Sequence, residues 1–128
     1  MIYLDTSAAL KTVVQEAESA ALLAWLGNTG TQGLVAAWLL HTELHCALRR
    51  RPEALDLDTV EGLLDTVELV DVTRGDLMLA PQIGGGLRIL DALHLTVALR
   101  LGADTFVTYD RELTVAARSA GLDVAQPA

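Results

Sequence analysis

Hydrophobic and polar positions along the chain switch repeatedly between a short apolar run and a helical period, and the switches mark element boundaries. Residues 1–4 form a short apolar run containing Ile2 and Tyr3, as expected of a buried strand. The run breaks at Asp5, Thr6 and Ser7, all good N-cap residues, and 8–14 then reads as a short helix. Apolar positions at helical spacing (Ala20, Leu22, Leu23, Trp25, Leu26) predict a helix over 16–26, followed by a polar, glycine-containing loop over 28–33. Residues 34–38 are a second strand, and 39–51 a helix that Pro52 stops. Another helix is predicted over 57–67, a strand over 69–72 and a helix over 76–83. Gly84, Gly85 and Gly86 separate that helix from the next, over 90–101, which Gly102 closes. The clearest strand is Thr105-Phe106-Val107-Thr108, rich in β-branched residues. A last helix over 113–120 ends at Gly121, and Val124 lies in a final edge strand.

Strands that alternate with helices need crossover connections, so the expected fold is α/β, with a parallel sheet covered by helices on both faces. At 128 residues, without a repeat, a low-complexity tract or a linker, the expectation is one domain spanning 1–128. In such a sheet a ligand sits beyond the carboxyl ends of the strands. Asp5 and Asp110 fall there, after the first strand and after the run 105–108.

Two further acids occupy positions that do not favour acids. Glu43 shares a helix stripe with Leu40, Leu44, Ala47 and Leu48, and Asp91 shares one with Leu87, Leu95 and Ala98. A carboxylate on an apolar stripe costs several kcal/mol unless a cation or hydrogen bonds compensate. Each acid also has a simpler role open to it. Asp5, Asp110 and Asp91 can cap helices, and Glu43 can pair with an arginine or lean outward. One pocket holding all four explains them together, and hard divalent cations such as Mg²⁺ or Mn²⁺ select oxygen donors of this kind.

Composition narrows the chemistry. The chain is 52% hydrophobic and 4% aromatic, so its core is built mainly of Leu, Val and Ala, and no apolar stretch reaches the roughly 18 residues of a membrane span. No basic segment precedes the first apolar run, which speaks against a signal peptide. Cys46 is alone, which excludes an internal disulfide and suits a reducing cytoplasm. The net charge is −8, and setting the four acids aside still leaves −4. Nucleic-acid affinity normally comes from Lys and Arg on phosphates. Positive charge for such a ligand must therefore come from bound metal, a basic partner or local arginines, of which Arg49, Arg50 and Arg51 are the only run.

Other motifs carry less. His41 and His45 have the i,i+4 spacing of a helical zinc pair, but they flank Glu43 on different faces and lack the partners of a tetrahedral site. His94, three residues after Asp91, reads as a packed helix residue, not a base. The three glycines follow no strand and lack the lysine of a phosphate loop. A receiver-type phosphoacceptor also gathers acids at strand ends, but needs a lysine near the last strand. The only lysine here, Lys11, lies in the first helix.

Four segments, IYLDTSAAL, TELHCALRR, ILDALHLTVAL and TFVTYDREL, resemble in order and spacing the PIN-domain nucleases, specifically the VapC toxins of bacterial toxin–antitoxin pairs. The resemblance implies a PIN-like three-layer sandwich with a central five-stranded parallel sheet. It further implies Mg²⁺- or Mn²⁺-dependent endonucleolytic cleavage of RNA, homodimers, and inhibition by a cognate VapB-like antitoxin. Asp5, Glu43, Asp91 and Asp110 match the family's acidic quartet, and Thr6 and Thr108 match hydroxyl positions that assist at the site. The expected mechanism is metal-assisted phosphodiester hydrolysis, with Asp5 and Asp91 as main ligands and Glu43 and Asp110 completing the site directly or through water. Where many relatives carry Ser or Thr before the glutamate, this chain has Trp38, Leu39 and Leu40. The alternative is a catalytically silent PIN-like module acting through protein partners, which four intact acids disfavour.

Overall fold

A computed structural model of the chain describes residues 1–29, 32–83 and 85–128. The parts of the predicted 28–33 loop and of the triple glycine that fall on residues 30, 31 and 84 lie outside it. Among the described residues five strands and seven helices follow in the order β1 (Ile2–Leu4), α1 (Thr6–Val13), α2 (Ser19–Thr29), β2 (Leu34–Ala37), α3 (Leu39–Arg50), α4 (Leu57–Asp65), β3 (Val67–Val70), α5 (Arg74–Ile83), α6 (Ile89–Leu101), β4 (Thr105–Val107), α7 (Arg111–Ser119) and β5 (Asp123–Ala125). All strand pairs are parallel, in the order β3-β2-β1-β4-β5.

The central strand β1 is buried on both faces, which is why Ile2-Tyr3-Leu4 shows no polar alternation. Tyr3 stacks on Phe106 of neighbouring β4, with ring centroids 5.3 Å apart. Right-handed crossovers assign α1–α4 to one face and α5–α7 to the other. Packing agrees: α1 lies against α2, α3 and α4, while α5 and α7 lie against α6. The chain leaves β1 toward one face and β4 toward the other, so a crevice opens where their carboxyl ends adjoin.

The predicted boundaries shift by a few residues, each for a local reason. Helix α1 begins at Thr6 because Asp5 itself is the cap, and α2 begins at Ser19 and continues to Thr29. The largest slip is at β3. The helical pattern from Leu57 stops at Asp65, and the strand is Val67–Val70 instead of 69–72. Its register against β2, with Leu34 beside Val67 and Ala37 beside Val70, decides the frame. Gly102 closes α6 in the left-handed conformation, φ 67°, as a residue without Cβ does most readily. On α5 and α6 an ion pair with only its acid buried ties the layer together: Asp76, 2% exposed, receives Nε of Arg100 at 2.9 Å on one oxygen and Nη2 at 3.0 Å on the other. Burial alone would raise the Asp76 carboxyl; Arg100 and the Thr73 amide and hydroxyl hold it below the usual carboxylate range.

Candidate active site

Asp5, Glu43, Asp91 and Asp110 all border one open cleft of about 640 Å³. They arrive from four places: the end of β1, the second turn of α3, the first turn of α6 and the turn into α7. Thr6, Ser7, Leu10, Arg50, Leu87, Arg88, Ile89 and Leu90 complete its walls. Thr108 stands behind the wall, fully buried.

Asp5 is the most confined of the four, at 2% exposure. One carboxylate oxygen caps α1, accepting from the Ala8 amide at 2.9 Å and from the Ser7 hydroxyl at 2.7 Å. The other accepts from the Thr108 hydroxyl at 2.5 Å. Ser7 also accepts from the Tyr109 amide at 2.9 Å, and Thr108 Oγ1 from the Asp110 amide at 3.1 Å. These bonds lace the ends of β1 and β4 together and fix the direction of Asp5. Burial pushes the Asp5 carboxyl up, against the pull of those donors and of His94. Of the two hydroxyl positions singled out from the sequence, Thr108 holds Asp5, whereas Thr6 Oγ1 lies 3.2 Å from His94 Nε2.

Asp110 caps α7 through the Leu113 amide at 2.8 Å. Asp91 does not cap α6; Arg88 holds the cap position without a side-chain hydrogen bond, and Asp91 sits in the first turn. Its carboxyl is pushed up by burial and then by the charges of Asp110 and Asp5, which Arg88 and His94 only partly oppose. Glu43 is partly buried, at 21% side-chain exposure, and pairs with a histidine instead of an arginine: Oε1 lies 2.7 Å from His94 Nε2. His94 is 1% exposed, and its Nδ1 lies 2.7 Å from the Tyr3 hydroxyl, which accepts from the Ala37 amide at 3.1 Å.

Among the described residues no three His, Cys, Asp or Glu side chains close into a cluster able to hold a metal ion as they stand. The carboxylates flank an open cleft instead. The guanidinium of Arg88, 83% exposed, lies 3.8 Å from both Asp91 and Asp110 and supplies part of the missing counter-charge. The donor set still fits a hard divalent cation: oxygens only, with two carboxyls displaced toward their neutral forms by burial and by one another. His41 and His45 face each other with ring centroids 4.3 Å apart, and Nδ1 of His45 is tied to the His41 carbonyl at 2.7 Å.

Sequence reasoning missed four participants. From sequence Ser7 reads only as a cap candidate, Arg88 precedes its helix without any motif, His94 reads as a packed residue (which its 1% exposure bears out, its two polar partners being the addition), and Tyr3 lies in an unbroken apolar strand. The bonds of Tyr3 to His94 and of Ser7 to Tyr109 span 91 and 102 residues and leave no local signal, whereas Ser7 also bonds nearby Asp5 and Arg88 faces Asp91 three residues on.

Fold and cleft together define an acidic, oxygen-donor site at the switch point of a parallel sheet. The PIN domain family model matches residues 2–119. Ribonuclease VapC47 of Mycobacterium tuberculosis is 36% identical over 99% of this chain and 97% of its own length. The chain therefore belongs to the PIN-domain family, among the VapC ribonucleases. Two solved structures share the fold at lower identity. The M. tuberculosis toxin VapC20, described as cleaving the sarcin-ricin loop, superposes with a TM-score of 0.77 at 15% identity, covering 99% of this chain and all of its own. VapBC2 of Rickettsia felis, solved on a DNA fragment from its promoter, gives 0.71 at 17% identity with both chains covered completely.

Proposed function

We propose that this chain is a divalent-metal-dependent endoribonuclease and the toxin of a type II toxin–antitoxin pair. The observation that carries the proposal is the convergence of Asp5, Glu43, Asp91 and Asp110, from four separate elements, on one cleft. The name of VapC47 as a ribonuclease supports RNA as the substrate class. The complex of VapBC2 supports an antitoxin as the partner. The resemblance also implies a homodimer, and the exposed lone Cys46 fits a cytoplasmic setting. No helix among the described residues is long and apolar enough to cross a membrane.

In this reading Asp5 and Asp91 are the main ligands of Mg²⁺ or Mn²⁺, with Glu43 and Asp110 completing the set. When bound, the cation supplies charge to the phosphate and makes the attacking water more acidic. Ser7, Thr108 and the Ala8 amide hold Asp5 in one orientation throughout. Arg50 and Arg88 line the cleft and receive the phosphates flanking the scissile bond. Arg88, being exposed, swings from Asp91 and Asp110 to the RNA at little cost. Leu77, Leu87 and Ile89 border an adjoining apolar groove of about 230 Å³, a resting place for apolar side chains of the antitoxin.

The test is cleavage of a structured RNA by the purified chain with Mg²⁺ or Mn²⁺. Cleavage that disappears with EDTA and in Asp5→Asn supports the enzyme. Absence of cleavage with both metals, together with an unchanged Tm on adding Mn²⁺, refutes it in favour of a silent binding module.

A further inference from the structure

We infer that His94, itself held by Tyr3, is the positioning residue that aims Glu43 into the metal cleft; the inference rests on the metal-dependent nuclease reading. The four acids are not secured alike. Asp5 accepts from two hydroxyls and an amide, and Asp110 accepts from the amide it caps. Glu43 lies in the second turn of α3, beyond the reach of free helix amides, on a longer and more flexible side chain. Its hydrogen bond among the described residues is the one to His94, through Oε1 at 2.7 Å. Oε2 is left for the cleft.

Donor and acceptor balance orders the chain of bonds. The Glu43 carboxylate can only accept, so Nε2 of His94 carries the ring hydrogen and donates it to Oε1. Nδ1 of the neutral ring then accepts from the Tyr3 hydroxyl, which itself accepts from the Ala37 amide. Three layers are thereby linked: α6 below the cleft, β1 and the end of β2 in the sheet, and α3 above it.

Packing alone does not account for an imidazole here. Residues 92–98 of α6 are all buried, and the others are Ala, Leu, Leu, Thr, Val and Ala, with the one hydroxyl, Thr96, returning its hydrogen to the Ala92 carbonyl at 2.7 Å. An aliphatic side chain would fill position 94 without burying two ring nitrogens. Both nitrogens are matched, and the match ends on a carboxylate of the cleft. Hydrogen bonds of this kind to a ligating carboxylate typically carry a 10- to 100-fold effect on metal affinity or activity.

The experiment measures Mn²⁺ binding to the full chain by the loss of the free-ion EPR signal, alongside RNA cleavage and Tm. His94→Leu is expected to weaken Mn²⁺ binding at least about tenfold, and Tyr3→Phe to weaken it less. His94→Gln, whose side-chain amide donates to Glu43, recovers most of the affinity. In a Glu43→Gln background His94→Leu causes no further loss. If His94→Leu does not fold, Tyr3→Phe and His94→Gln carry the same comparison. Wild-type Mn²⁺ affinity in His94→Leu and Tyr3→Phe overturns the inference and leaves the nuclease reading standing. A Gln variant no better than the Leu variant assigns the loss to packing and also overturns it. A wild-type chain that neither binds Mn²⁺ nor cuts RNA overturns both.

Discussion

Replacing Asp5 by Asn separates the two roles this residue plays. Asn is as good an N-cap as Asp, so its side-chain oxygen still accepts from the Ala8 amide and the Ser7 hydroxyl. Its amide nitrogen faces Thr108 Oγ1, which turns its hydrogen toward Ser7 Oγ, 3.3 Å away, and accepts instead. The geometry survives while a charge buried to 2% exposure is removed. Without metal the variant should therefore be more stable than the parent, by about 1 kcal/mol, or about 4 °C in Tm. With metal the order reverses. Saturating Mn²⁺ at a hundred times its Kd stabilises the parent by about 2.7 kcal/mol, and the variant by far less. Cleavage should fall at least about a hundredfold, since a ligand to the cation contributes several kcal/mol to the transition state. The assay is thermal melting with EDTA or Mn²⁺, paired with RNA cleavage. An Asn variant that melts lower in EDTA, yet keeps the Mn²⁺ shift and the cleavage, would reduce Asp5 to a helix cap and refute the reasoning.

Arg100→Ala strands the Asp76 carboxylate; since Arg100 is itself partly exposed, the expected loss is about 2 to 3 kcal/mol, read by urea unfolding, and Asp76→Asn in that background should recover part of it. A carboxyl with a folded pKa above its unfolded 3.8 binds its proton more readily when folded, so Asp5 and Asp91 cost metal-free stability as pH rises from 3.8 through their folded values. The Tm advantage of Asp5→Asn in EDTA should accordingly grow over that pH window; a flat difference would contradict the raised carboxyls. Asp76 contributes with the opposite sign in both proteins and cancels in the comparison. Arg88→Ala should raise the KM for RNA and lower the salt slope of binding by about 0.7, the share of one single-strand phosphate contact; an unchanged slope would remove Arg88 from the RNA path.

The quartet was legible because two of its members violate the apolar pattern around them. Glu43 and Asp91 stand on stripes whose other positions include the fully buried Leu40, Leu44, Leu95 and Ala98, and such an exception invites a cause. The strands were legible as short apolar runs, but their frames were not. Val67-Glu68-Leu69-Val70-Asp71-Val72 supports two strand frames, and pairing with β2, with Trp38 N–H bonded to the Val70 carbonyl, selects the earlier one. His94 was illegible for the opposite reason to Glu43. Helix α6 is buried all round over 92–98, so no face of it marks which position looks toward the cleft. Its partner Tyr3 lies 91 residues earlier, and no periodicity joins them.

The competition between cap and ligand, open at the level of sequence, need not be decided for one side if the proposed ligand role holds, because the two roles support each other. Four carboxylates around one cleft repel, and on the proposed reading the fold must tolerate them without surrendering affinity for a cation. Three sit where a helix begins: Asp5 and Asp110 at caps of α1 and α7, Asp91 in the first turn of α6. Free amides and the positive end of the helix dipole offset a negative charge there by about 0.3 to 1 kcal/mol each. That is enough to keep the fold and too little to satisfy the carboxylates as a divalent cation does. Glu43, within α3, has no such help, and it is the acid that receives a buried histidine. The net charge of −8 then places a second demand on the cleft, met locally: Arg50 and Arg88 stand in its walls, Arg88 already beside two of the acids. On the proposed reading, RNA affinity in this protein should thus depend on divalent cation far more steeply than in a basic nuclease, because acids that hold a cation also repel the phosphates whenever it is absent.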